Sequence, residues 1–170
     1  DFMIQGGDFE NHDGSGGYAA EWYGICNGMA QNETTSEECP DQGNWNVPDE
    51  ADNGLKHDPC TISMAKTTLP NSGGSQFFIM PEYVSNPHLD GVHTVFGEVI
   101  EGCSGVTHIS EVATGDFDRP INPVSITGTW HSETYPVGET SQQDSETEQE
   151  PISNEPAPDS DGDGIDDDQD

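Results

Sequence analysis

The chain has 170 residues and carries 34 Asp plus Glu against 3 Lys plus Arg, a formal charge of −31. A surface this negative repels phosphate backbones and anionic headgroups, which excludes nucleic acid and anionic membranes as partners, and its short apolar runs fall far below the roughly 20 residues of a spanning helix. Self-repulsion on that scale needs screening, so the composition fits high salt or a calcium-rich medium.

The first element is a β-prone run, Phe2 to Asp8, with a glutamine at Gln5 where a core strand is ordinarily apolar. An amide in an apolar run costs on the order of a few kcal/mol unless it is hydrogen-bonded. Ser75 to Ile79 repeats the pattern with Gln76. One such run reads equally as a strand with a satisfied core glutamine; two read as the walls of a lined site. Between them come a glycine-rich loop at Asp13 to Gly17, which needs positive φ or close backbone approach, and a polar, aperiodic stretch from Glu21 to about Trp45. That stretch holds Cys26, Cys39 and the glycosylation sequon Asn32-Glu33-Thr34, and reads as a surface insertion.

Strands are expected at Thr61 to Ala65, Gln76 to Met80 and His93 to Val99, each rich in β-branched or aromatic residues and bounded by Gly, Pro or Asn. Ser104 to Ala113 places Val106, Ile109 and Val112 three apart, the face of a short helix. A last strand is expected over Pro123 to Trp130. Many short strands with one helix suggest a β-barrel. Beyond about Tyr135, Ser, Gln, Glu and Pro dominate, and residues 135–158 read as a disordered acidic linker. Asp1 and Asp170 each fall inside a motif, so both ends read as cuts in a longer chain, exposing unpaired strand edges and leaving the chain marginally stable.

Four cysteines allow three pairings. Cys26 with Cys39, which closes a loop with little core of its own, is the preferred bridge, at about 3 kcal/mol of loop entropy. Cys60 is the alternative partner for that loop, and Cys103, at the helix start, then reads as a buried free thiol. No Cys-x-x-Cys or Cys/His cluster is present, which argues against zinc. The cysteines and the sequon point to an extracellular or cell-surface compartment.

The runs FMIQGGDF (Phe2 to Phe9), GSGG (Gly14 to Gly17), VPDE with LKHD (Val47 to Glu50, Leu55 to Asp58), ISMA (Ile62 to Ala65), SQFFI (Ser75 to Ile79) and LDGVHTVFGEV (Leu89 to Val99) occur in family order over roughly residues 1–130. In them the chain resembles the cyclophilin family of peptidyl-prolyl cis/trans isomerases, its prokaryotic members above all. The resemblance implies a mainly β fold over residues 1–134, an eight-stranded barrel incomplete at its N-terminus with a short helix and the insertion at about 21–45. It implies a proline pocket formed by Phe2, Met3, Phe78, Leu89 and His93, and a carbonyl-holding amide at Gln5. Ala65 and Lys66 fall at backbone-contacting positions, and Gly14 and Gln76 at the neighbouring subsite. The catalytic set is thus Gln5, Phe2, Phe78 and His93. The partners implied are proline-containing peptides or unfolded proteins, met by a monomer that needs no cofactor for catalysis.

Two departures stand out. The family's catalytic arginine lies a few residues upstream of the FMIQGGD strand and is not in this sequence, and Arg119 does not match its position. The tryptophan often found just before LDG is His88. The rival reading is a non-catalytic proline-peptide-binding or adhesive module; an inherited fold serving as a calcium-held surface scaffold is a third.

The last twelve residues, Asp159 to Asp170, place carboxylates at positions 1, 3, 5, 9 and 12 and a glycine at 6, the oxygen spacing of a calcium loop. The pattern resembles thrombospondin type 3 repeats, and Asp159, Asp161, Asp163, Asp167 and Asp170 are the expected ligands.

Overall fold

The β-prone runs fold as short strands in the computed structural model, which describes residues 2–30 and 36–131. In chain order they are β1 (Ile4–Gly6), β2 (Ile25–Cys26), β3 (Met29–Ala30), β4 (Thr61–Met64), β5 (Phe77–Ile79) and β6 (Val95–Glu98), followed by the helix α1 (Cys103–Ser110). Four strands make an antiparallel sheet in the order β1-β5-β4-β6, while β2 and β3 form a separate hairpin. The fold is mainly β with one short helix, as expected.

Register decides what each face of the sheet carries. Gln5 pairs with Phe78, Phe78 with Ser63, and Ser63 with Val95. Successive side chains alternate between faces, so this row lies on one side, where Phe78, Ser63 and Val95 are buried. The adjacent rows, Ile4-Ile79-Ile62 and Phe77-Met64, belong to the opposite face and are half-buried. A bulge at Ile62/Ser63 interrupts the ladder with β6. Phe96, in β6, is 54% exposed and joins Met64 and Phe77 in lining an apolar hollow.

Several expectations need correction. Among the described residues the incomplete eight-stranded barrel is reduced to an open four-stranded sheet, with β1 and β6 as its edges. Residues 123–130 form no strand: Val124, Ile126 and Trp130 stay exposed, and an isolated extended run has no ladder to hold it. The stretch from Glu21 to Trp45 is more than an irregular insertion, because it contains the β2–β3 hairpin with Ile25 buried. The helix stops at Ser110, so Val112 lies beyond it and is exposed. Its buried stripe is Cys103, Val106 and Ser110, residues three and seven apart that share one helical face.

Both cysteine pairs are bridged. Cys26 bonds Cys39 as expected, and Cys60 bonds Cys103, so Cys103 is not a free thiol. The second bridge ties the residue before β4 to the first turn of α1 across 43 residues, about 4 kcal/mol in the loop-entropy estimate. Beside it lies the fully buried Met80, whose carbonyl accepts the Cys60 N–H at 3.1 Å. The sequon, the acidic linker and the five aspartates of the calcium motif lie outside the described residues.

Candidate functional site

A cleft of about 370 Å³ opens on the sheet face that carries Gln5 and Phe78. Phe2, Met3, Gln5, Gly14, Ala65, Lys66, Gln76, Phe78, Leu89 and His93 all line it. Five separate segments converge there: β1 and the residues before it, the glycine-rich loop, the end of β4, β5, and the turn Pro87–Leu89 with His93 beyond it. The expected metal ligands Asp159, Asp161, Asp163, Asp167 and Asp170 lie outside the described residues, and among those described no three His, Cys, Asp or Glu side chains cluster as a metal site.

The two glutamines explain each other. Gln5 Nε2 donates to Gln76 Oε1 at 2.7 Å. Gln76 Nε2 in turn donates to the carbonyls of Gly14 at 3.0 Å and Gly16 at 2.7 Å. Gln76 is thereby a clasp that pins the glycine-rich loop to the sheet. Gln5, exposed on β1, keeps its carbonyl oxygen and a second N–H for a ligand.

A carboxylate organises the same loop from within. Asp8 accepts the backbone N–H groups of Glu10, Asn11, Asp13, Gly14 and Gly16. Desolvation pushes its pKa up, but the donors at Asn11, Gly16, Asp13 and Gly14 outweigh it and hold the carboxyl far below its usual range. Gly74 permits a close approach: a Cβ there would collide with the Gly17 carbonyl. At Gly7, with φ +92°, a side chain would strike the Ser75 carbonyl.

The apolar end of the cleft rests on rings. Phe78 is 4% exposed and meets His93 edge to face, with centroids 5.5 Å apart at 84°. His93 Nδ1 lies 3.1 Å from the Met64 carbonyl. A carbonyl only accepts, so Nδ1 carries the proton and His93 is oriented as a wall. Behind both rings stands His57, with its side chain 0% exposed. His57 enters the sequence reading only within the run Leu55 to Asp58, without a role, because no periodicity marks a buried residue in a loop.

Lys66 is tethered. Its ammonium sits 3.2 Å from Asp49 Oδ2, and its side chain is 5% exposed. Asp49 also exchanges two hydrogen bonds with Asn71, one at 2.8 Å through its own N–H and one at 3.0 Å through its carboxylate. The cation braces the cleft wall and is not free to reach a ligand. Thr67 and Ser72, which sequence reasoning leaves out, also line the cleft and bond each other at 2.8 Å. Arg119 is exposed and does not line the cleft, and His88 is exposed in the turn before Asp90.

A family model described as cyclophilin type peptidyl-prolyl cis-trans isomerase/CLD matches residues 1–130. Peptidyl-prolyl cis-trans isomerase D of Mycosarcoma maydis is 40% identical over 126 residues, which cover 74% of this chain and 25% of that protein. Peptidyl-prolyl cis-trans isomerase 9 of Schizosaccharomyces pombe is 37% identical over 128 residues, 74% of this chain and 16% of that protein. Peptidyl-prolyl cis-trans isomerase-like 1 of Gibberella zeae is 42% identical over 78 residues, 46% of this chain and 47% of that protein. The chain thus spans a quarter or less of the length of the first two relatives and about half of the third.

Proposed function

The chain belongs to the cyclophilin-type peptidyl-prolyl cis-trans isomerase family, and from that premise we propose that its cleft isomerises Xaa-Pro bonds in peptides and unfolded proteins. The observation that carries the proposal is the convergence of an apolar ring pair, Phe78 and His93, with an exposed amide, Gln5, in one cleft. Rotation about an Xaa-Pro amide faces a barrier of roughly 18–20 kcal/mol because resonance must be broken. No covalent step and no cofactor is required. A site that seats the proline ring against Phe78, Met3 and Leu89, and holds the flanking carbonyl through Gln5, stabilises the twisted amide over the planar one. His93 closes the seat as a wall.

Two disulfides support a secreted or surface location, with the folding of other secreted proteins as the role. Calcium bound through Asp159, Asp161, Asp163, Asp167 and Asp170 would order the tail. A second reading, a proline-peptide-binding module without catalysis, is favoured by one observation: among the described residues no arginine lines the cleft.

A chymotrypsin-coupled proline-isomerisation assay tests the proposal. Catalysis above the uncatalysed rate, cut by both Gln5→Ala and Phe78→Ala in folded protein, supports it. Peptide binding without catalysis selects the second reading, and rates unchanged by both substitutions sink the site assignment.

A further inference from the structure

Packed against the cleft rings, but outside the cleft lining, lies a buried histidine that the isomerase reading does not use. His57 is 1% exposed as a residue. Its ring stacks on Phe78, with centroids 5.7 Å apart and planes 11° from parallel, and meets His93 edge-on at 6.4 Å and 87°. Because Phe78 and His93 also touch each other, the three rings form a closed triangle, of which two corners line the cleft and the third does not.

The same histidine holds a second wall. Its Nδ1 lies 3.0 Å from Asp90 Oδ1, and its backbone N–H donates to the same oxygen at 2.9 Å. A carboxylate accepts, so Nδ1 carries the proton. Asp90 caps the short turn Pro87–Leu89, and the backbone N–H of Asn86, at the other end of that turn, donates to the His57 carbonyl at 3.0 Å. Leu89 is therefore held between two hydrogen-bonded anchors on one residue. Lys56, 3.5 Å from Asp90 Oδ2, adds an exposed ion pair. Among the described residues His57 Nε2 has no hydrogen-bond partner. If the site required only filler behind Phe78, leucine or phenylalanine would serve without orphaning a buried nitrogen.

We propose that His57 is the positioning residue of the proline seat: its ring fixes the planes of Phe78 and His93, and its clasp on Asp90 fixes the turn that presents Leu89. The inference rests on the proposed function for the identity of the ligand, and on the ring triangle for the role of His57.

Two variants separate the ring from the clasp. His57→Asn keeps an amide N–H close to where Nδ1 stood and removes the ring; His57→Phe keeps the ring and removes the clasp. Val106→Ala, a buried helix residue outside the cleft, controls for lost stability. The 170-residue chain and each variant are titrated with an Ala-Ala-Pro-Phe tetrapeptide, followed by the ring resonances of Phe78 and His93 and the methyls of Leu89.

Loss of one aromatic pairing should weaken peptide affinity about tenfold in folded His57→Asn and shift both ring resonances. His57→Phe should recover most of that affinity yet shift the Leu89 methyls. Val106→Ala should melt earlier and bind as the parent does. Peptide affinity within twofold of the parent in folded His57→Asn, or equal weakening by Val106→Ala, overturns the proposal. If His57→Asn does not fold, unmoved Leu89 methyls in His57→Phe overturn it. If the parent binds no peptide, the proposed function fails, and the ring resonances alone decide the role of His57: unmoved in His57→Asn, they refute it.

Discussion

The two faces of the four-stranded sheet carry similar apolar material and come to different ends. On the cleft face, Phe78, Ser63 and Val95 are buried, and His57 stacks on the Phe78 ring. On the other, Ile4, Ile62, Met64, Phe77 and Ile79 stay half-buried, and Phe96 is more than half exposed. The difference lies in what arrives from outside the strands. Polar loops close the cleft face through directed bonds: Asp8 gathering five N–H groups, Gln76 clasping Gly14 and Gly16, Asp90 holding His57. On the opposite face Met64, Phe77 and Phe96 meet Phe9, Tyr18, Ala19 and Val47 across a hollow, and apolar area stabilises only when something covers it. The cleft proposed as the isomerase site thus opens on the face tied together by hydrogen bonds, and a pre-set shape lowers the cost of seating a ligand.

Phe78→Ala should break the comparison most severely. Truncating a buried phenylalanine costs about 3–5 kcal/mol, and here it also removes the ring on which His57 and His93 both rest. Urea unfolding should show the loss, and peptide titration of the remaining folded protein should show no saturable binding. The Cys60–Cys103 bridge comes next. Cys60→Ser with Cys103→Ser should cost about 4 kcal/mol and Cys26→Ser with Cys39→Ser about 3, following the lengths of the loops they close. Denaturation of both double variants under identical conditions checks the order.

How much of this was legible in the residues follows from the same contrast. Gln5 and Gln76 announced the cleft because an amide in an apolar strand demands a partner, and the structure supplies one to each. The strands at residues 61–64, 77–79 and 95–98 fell where β-branched and aromatic runs put them, short of the expected ends by a residue or two. Pro123 to Trp130 has the same local character, and no strand forms there, since pairing is a property of two segments and not of one. His57 was illegible for a related reason: its burial is decided by Phe78 and Asp90, 21 and 33 residues away, and leaves no local pattern. Cys103 was misjudged as a possible free thiol because spacing says nothing of which chain segments meet.

A smaller effect should come from the loop that covers the cleft face. The hydrogen-bonded carboxyl of Asp8 has a folded-state pKa below the ordinary aspartate value of 3.8, so its contribution is fully present above that value and is lost as pH falls through the lower, folded one. Acid also relieves self-repulsion in a chain of charge −31, which acts in the opposite sense. The difference between parent and Asp8→Asn isolates the term, because both lose repulsion alike. The gap in melting temperature should be constant from pH 7 to pH 5 and shrink below about pH 4. A gap that widens on acidification would contradict the sign.

The smallest change should come from the open face, and it tests whether that face is open in solution. Phe96 is 54% exposed in the described chain, and substitution of an exposed residue ordinarily moves stability by no more than about 0.5 kcal/mol in either direction. Phe96→Ser should therefore leave the urea midpoint nearly unmoved, while lowering the binding of an apolar dye that reports exposed hydrophobic surface. Peptide affinity should not change, since Phe96 lies outside the cleft. A loss approaching that of Phe78→Ala would mean that the face is covered in solution. Dependence of that loss on protein concentration would identify the cover as a second copy, and independence would place it within the same chain. In either case the two faces would differ in what closes them, polar loops on one and an apolar partner on the other, and no longer in whether they are closed.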